Sequence, residues 1–379
     1  MRVLVDGRIG GADGIGRYTT SVTGGLTGTR HRGVELTVLR AGTARRYSRA
    51  DGVELLNRAA ESRADLLHTL DYRVPITVSP EIPTIVTVHD VLRTVDPALC
   101  YSDAAFADRF GVEGLTALRE AVDALRDIAP FPARRVPRGT HDEFLGRMLA
   151  LAVSRADRVI TPTAVVARQL GDLVPARDKL CVSPWGVDHL PAPADEVPPG
   201  VAGRFVLFVG QARPHKGLAA LLAAVSRTAL FGAGAPLVLV GRDWVPSGVA
   251  AVSAVGALGA HRLVLLGNVS DAELALLYTR ASVLLHLADH EGFGFPPLEA
   301  LRHGCPVVAA DIPVLRETLG GQAEFVSPRD ADAVARRVDE VVATDEPSAR
   351  TARIRWARRF DWQRHIGDLL MCYRQAGHG

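Results

Sequence analysis

Cysteine is scarce: among 379 residues only Cys100, Cys181, Cys305 and Cys372 occur, and no two form a CxxC pair. That argues against a zinc ribbon or a disulfide framework and fits a reducing compartment. No run of about 18 apolar residues is present, so no membrane-spanning helix is expected. The opening MRVLVDGRIGG passes from a short β-like run straight into glycines, without the apolar core of a signal peptide. A cytoplasmic location is therefore expected. Charge of one sign is lacking too: 44 Lys+Arg against 42 Asp+Glu leave a net +2, without the concentrated basic face that nucleic acid requires. Lysine is scarce where arginine and alanine abound, a coding bias rather than a functional signal.

What remains is a globular composition, 47% hydrophobic and 23% charged. A chain this long exceeds one ordinary core and fits two domains. Short β-branched runs alternate with longer Ala/Leu/Arg segments of helical period, the signature of parallel α/β architecture. The first half predicts strands at 2–6, 34–39, 65–70, 84–90, 157–161 and 179–184. The second half predicts them at 204–210, 236–241, 262–267, 282–287, 306–310 and 323–326. Between the halves PAPADEVPPG (191–200) reads as a linker. The expected division is 1–190, a linker at 191–200, 201–355, and a C-terminal helix in 356–379 that packs back. Residues 98–140 are long for one connection and read as an insertion or lid over the acceptor side.

The densest chemistry lies in DHEGFGFPPLEALRHGCPVVAAD (289–311). Gly292 and Gly294 permit a tight turn and close approach to a ligand. Pro296 and Pro297 suit a first helical turn, and a glycine turn feeding a helix start favours a phosphate. Glu291 and Glu299 flank that turn, and carboxylates there make sense as acceptors for the hydroxyls of two sugars joined by a diphosphate. An ordinary connection with solvent-facing glutamates is the alternative. The companion stretch FVGQARPHKGL (208–218) sets Arg213, His215 and Lys216 at a strand–helix junction, suited to a departing diphosphate; a solvated basic turn is the alternative. His89, ending a strand in TVHD, is on residue type alone more often structural than functional. The DAD at 330–332 reads as a helix N-cap rather than a metal-binding pair.

Together VGQARPHKGL, GNVSDAELALLY (267–278) and ADHEGFGFPPLEALRHGCPVVAAD (288–311) resemble glycosyltransferase family 4, the glycosyl transferases group 1. GGADGIGRYT (10–19), TVHD (87–90), ADRVITPT (156–163) and SPWGVD (183–188) extend the likeness over nearly the whole chain. The resemblance implies an α/β GT-B fold, two Rossmann-like domains facing each other across a cleft, and retaining transfer from a nucleoside diphosphate sugar. It implies that Glu291 contacts the transferred sugar and Glu299 the ribose hydroxyls. The backbone of Gly292, Phe293 and Gly294 would hold sugar or diphosphate, and Lys216 with Arg213 would stabilise the leaving group. His89 would lie near the transferred sugar, Gly14 and Gly16 near the diphosphate, and Asn268 and Val269 near the base. His215 and Gln211 stand where members of the family often carry arginine.

The expected activity is hexosyl transfer from a UDP- or GDP-type sugar to a hydroxyl of a small molecule or glycan, with no cofactor and no metal. A nucleotide-sugar epimerase, a sugar phosphorylase or synthase, and a transferase for a lipid-linked acceptor are the alternatives of the same fold. No long basic amphipathic stretch favours peripheral membrane contact. Neither acceptor, nucleotide nor oligomeric state is legible.

Overall fold

The computed structural model describes residues 1–11, 13–29, 31–44, 49–72, 74–76, 81–132, 135–242 and 262–377. It divides into two compact units, Met1–Trp185 with Trp362–Gly379, and Gly186–Asp361. Each is built on a six-stranded sheet in which every strand pair is parallel.

In the first unit the strands are β1 (Arg2–Asp6), β2 (Glu35–Leu39), β3 (Leu66–Thr69), β4 (Thr84–Thr87), β5 (Arg158–Thr161) and β6 (Leu180–Val182), in the order β2-β1-β3-β4-β5-β6. The second holds β7 (Val206–Val209), β8 (Leu237–Val240), β9 (Leu263–Gly267), β10 (Val283–His286), β11 (Val307–Ala310) and β12 (Glu324–Val326), in the order β12-β11-β10-β7-β8-β9. All twelve expected strands form, trimmed by a residue or a few at their ends. The inner strands β3, β4, β10 and β11 are buried along their whole length, which is why their sequences are continuous rather than alternating apolar runs.

The helices that matter below are α1 (Gly14–Thr27), α2 (Asp103–Phe110), α3 (Val112–Arg126), α4 (Thr140–Arg155), α5 (Asp271–Arg280), α6 (Phe295–Arg302), α7 (Ala331–Ala343) and the C-terminal helix Trp362–Ala376. The expected insertion at 98–140 is largely helical. Leu115, Leu118, Val122 and Leu125 share one face of α3, and the last three join the core cluster that holds Phe144, Met148 and Leu151 of α4. Residues 191–200 fall inside the second unit, where the Ala194 N–H donates to the Ala272 carbonyl at 3.0 Å.

The C-terminal helix belongs to the first unit and ties into its core through a buried polar chain. Tyr373 OH bonds His68 Nδ1 at 2.8 Å, and His68 Nε2 bonds Thr87 Oγ1 at 3.0 Å. Thr87 Oγ1 then meets Tyr18 OH at 3.2 Å, and Tyr18 OH meets His365 Nε2 at 3.2 Å. Ser183 closes the chain, 2.8 Å from His365 Nδ1 and donating to Asp368 Oδ2 at 2.8 Å. Burial, the leading cause in both, pushes the His68 and His365 imidazoles down to about 3, so both are neutral. A core this polar is stable only because its members satisfy one another.

Candidate active site

In the second sheet the strand order reverses between β7 and β10. The chain leaving β7 heads toward β8 and the chain leaving β10 heads toward β11, so the loops at their carboxyl ends part. Open α/β sheets bind ligands in that crevice. Those two loops carry Arg213, His215 and Lys216 on one side and Glu291 to Gly294 on the other.

Their approach depends on Gly217. It has φ +72°, and a Cβ there would lie 2.1 Å from the Leu287 carbonyl oxygen. No other residue lets the backbones meet this closely. The His215 carbonyl accepts from the Asp289 N–H at 2.9 Å and fixes the register. Lys216, one of only two lysines in the chain, thereby reaches Glu291, its Nζ donating to Oε1 at 2.6 Å. His286, the last residue of β10, donates Nε2–H to the same oxygen at 2.8 Å. Burial by itself would raise the Glu291 carboxyl, but the Lys216 charge and the His286 hydrogen bond outweigh it and hold the group well below the usual carboxylate range. Both donors converge on Oε1, and among the described residues none donates to Oε2.

After Glu291 the chain turns through Gly292 and Phe293 to Gly294, which caps α6 at φ +92°. A Cβ on Gly294 would strike Leu315 Cδ2 at 2.8 Å, so glycine is required there for shape as well as for φ. The Phe293 ring is buried against Phe295 and Phe360, with centroids 5.3 and 5.9 Å away, and anchors the turn from inside. Pro296 and Pro297 occupy the first turn of α6, as expected, where a missing N–H costs little.

Glu299 sits further along α6 and is only 2% exposed. Its Oε2 accepts from the buried Tyr278 OH of α5 at 2.8 Å, and its Oε1 from His189 Nε2 at 2.8 Å. Tyr278 is itself stacked on His303, with ring centroids 6.0 Å apart. The His189 ring meets Phe295 edge-on at 6.0 Å. Arg213 is half-buried, with Nε donating to Gln211 Oε1 at 3.3 Å. Asn268, exposed, and Val269, half-buried, follow Gly267 at the end of β9, on the outer strand of the β7–β8–β9 side. Asp330 caps α7 by accepting from the Ala333 N–H at 2.9 Å, as expected. Among the described residues no group of three His, Cys, Asp or Glu side chains could hold a metal ion.

The remaining expected residues belong to the first unit. His89 follows β4, buried, with Nε2 donating to the Leu70 carbonyl at 2.7 Å, which places a proton on Nε2. Its ring meets Tyr18 and Trp185, each at 4.9 Å. Gly14 opens α1 behind the Asp13 cap, and the Gly16 N–H is engaged by Asp13 Oδ1 at 2.9 Å. A Cβ on Gly16 would lie 2.0 Å from the Gly11 carbonyl oxygen, so Gly16 holds the loop folded back on the helix. Four contributors escaped the sequence reading: His286, His189, Tyr278 and Gly217. Only His286 carries a visible signal, a histidine closing an otherwise apolar strand five residues before Glu291.

Residues 198–358 match the family described as Glycosyl transferases group 1. The serotype-specific mannosyltransferase WbdA of Escherichia coli is 33% identical over 171 residues, which span 43% of this chain and only 20% of that protein. Among solved structures, a sucrose-phosphate synthase from Thermosynechococcus elongatus superimposes with a TM-score of 0.67 at 17% identity, covering 99% of this chain and 98% of the other. Anabaena HepE, solved in complex with UDP and glucose, gives 0.62 at 18% identity, covering 99% and 100%. The structural likenesses establish the GT-B fold.

Proposed function

We propose that this chain, whose residues 198–358 match the glycosyl transferases group 1 family, moves a hexose-type sugar from a nucleoside diphosphate sugar to an acceptor hydroxyl with retention at the anomeric carbon. The observation that carries the reading is the meeting of Lys216, His286 and Glu291 at the reversal point of the second sheet, with Glu299 held in the helix that follows. The cation suits a diphosphate, and the unclaimed Glu291 Oε2 suits a hydroxyl of the transferred sugar. Glu299 suits the ribose, and Asn268 and Val269 the base. His89, Gly14 and Gly16, in the first unit, are further proposed ligand contacts of that unit. The names of the relatives, a mannosyltransferase and a UDP complex among them, support a GDP- or UDP-type donor.

In this mechanism the bond between the anomeric carbon and the leaving phosphate oxygen breaks as the acceptor oxygen bonds the same face. The acceptor proton passes to the departing diphosphate. Lys216, with Arg213 beside it, stabilises the charge that develops there, which a preorganised cation does without a metal. Glu291 orients the sugar and forms no covalent bond to it.

The test is a thermal-shift and turnover screen of UDP- and GDP-sugars on the wild type and on Glu291→Ala. A ligand that binds only the folded state raises its melting temperature. The expected result is stabilisation by one nucleotide class and turnover that persists in EDTA, with Glu291→Ala folded but at least about a hundredfold slower. Normal turnover by Glu291→Ala would end the assignment.

A further inference from the structure

A diphosphate would compete with Glu291 for the Lys216 ammonium. Here its ammonium lies 2.6 Å from Glu291 Oε1, whereas the proposed transfer needs the same ammonium on the leaving group. If Lys216 simply left, Glu291 would be a largely buried carboxylate stripped of its cation, a strongly unfavourable state. Some other donor has to remain.

His286 is placed to do so. It ends β10, a central strand paired with both β7 and β11, and it is 1% exposed. A side chain on such a strand is held by packing on both flanks, unlike a lysine at the end of a four-carbon stem. Its Nε2 is 2.8 Å from the oxygen that Lys216 also uses. The other ring nitrogen, Nδ1, is buried and has no hydrogen-bond partner among the described residues, so within this network the ring orientation serves Glu291 alone. Two donors on one carboxylate oxygen look redundant in a resting protein. They are not redundant if one of them is called away.

We propose that His286 is the positioning residue that keeps Glu291 anchored through Oε1, with Oε2 toward the sugar, while Lys216 passes from Glu291 to the donor diphosphate. This rests on the transferase reading above. It also divides the labour between two neighbours of one carboxylate: Lys216 contributes to leaving-group departure, and His286 to the orientation of the sugar.

The test compares wild type, His286→Gln and His286→Leu in the full chain. Gln keeps an N–H donor at similar reach, and Leu keeps bulk in an apolar strand without a donor. Two quantities are measured: the Kd of free UDP and GDP by calorimetry, and the kcat and KM for nucleoside diphosphate release from UDP-glucose or GDP-mannose, whichever the wild type turns over. The expected result is a kcat lowered about tenfold or more in His286→Leu, with nucleoside diphosphate Kd within about twofold of wild type, and kcat restored to within about threefold by Gln. Unchanged kcat in His286→Leu would overturn the inference while leaving the transferase reading intact. So would Gln as slow as Leu, or nucleoside diphosphate affinity falling in step with kcat. A wild type that binds and turns over no nucleotide sugar would sink the transferase reading itself, and this inference with it.

Discussion

Acid should unfold the first unit well before its carboxylates titrate. His68 and His365 are buried and neutral in the polar chain beneath the C-terminal helix, both pushed by burial down to about 3. His141 is lowered to about 4, again chiefly by burial, and its Nδ1 accepts from the Tyr101 N–H at 3.1 Å, which a protonated ring could not do. In the unfolded chain each returns to its ordinary value near 6.5. The folded state therefore binds fewer protons, and stability that is full above pH 6.5 drains away as pH falls toward 3–4. Each histidine removes about 1.4 kcal/mol per pH unit in that window. At pH 5 that is about 2 kcal/mol each and about 6 kcal/mol for the three, comparable with the whole stability of an ordinary domain. Carboxylates held low, such as Glu143 beside Arg126 and Arg147, respond only below their ordinary range and do not confuse the window. Urea unfolding at pH 7.5, 6.5, 5.5 and 5 measures the effect by tryptophan fluorescence, because Trp185 and Trp362 both pack on Tyr18 within this network. His365→Gln should start less stable at neutral pH and show a shallower slope. Equal unfolding free energies at pH 7.5 and 5, or an unchanged slope in the variant, would refute the account.

Gly217→Ala should lose about 1–2 kcal/mol from its positive φ alone, and more from the Leu287 carbonyl, 2.1 Å from the new Cβ. Because the loops must then part, turnover should fall further than melting temperature predicts; a variant with wild-type kcat would show that the Lys216–Glu291 contact is dispensable. Tyr278→Phe leaves the buried Glu299 Oε2 without its donor, at a cost of about 1.5–3 kcal/mol for a hydrogen bond to a charged group. Titration of donor concentration should show this as a KM raised about tenfold at nearly constant kcat, and a fall in kcat alone would move Glu299 off the ribose.

The sheets were legible because each strand is three to five mostly apolar residues bracketed by glycine, proline or charge, and burial of the inner strands leaves no alternation there to confuse with a helix. The helices at 103–126 were present in the sequence too, with Leu115, Leu118, Val122 and Leu125 at helical spacing. Their lack of flanking strands drew attention instead to the length of the connection. Tyr278, by contrast, reads as one more apolar position in LALLY, and its hydroxyl acquires meaning only when α5 packs beside α6. His189 lies 110 residues from the carboxylate it touches. Gly217 reads as a helix-start glycine until Leu287 is found against it. Spacing along the chain reports local structure well, but a hydrogen-bond partner from another element leaves no mark in it.

The two glutamates, eight positions apart in one short segment, have opposite surroundings, and the difference separates their tasks. Glu291 lies in a loop beside a flexible lysine and a strand-bound histidine, both on one oxygen. On the proposed reading it is an anion whose cation is exchanged when a substrate with a charged leaving group arrives. Glu299 lies inside a helix, with the buried Tyr278 donating to one oxygen and His189 to the other. That is the arrangement of an acceptor held in one place. Had both carboxylates been engaged by lysine or arginine, the segment would read as a structural ion-pair network. Had both been engaged by tyrosine and histidine, nothing would answer a diphosphate. Between them stand Gly294, the one residue type its left-handed φ and the Leu315 contact tolerate, and the proline pair that starts α6. The spacing of the glutamates is thus the length of a turn and the first stretch of a helix: enough to carry one carboxylate out toward the crevice while the other stays buried in the helix.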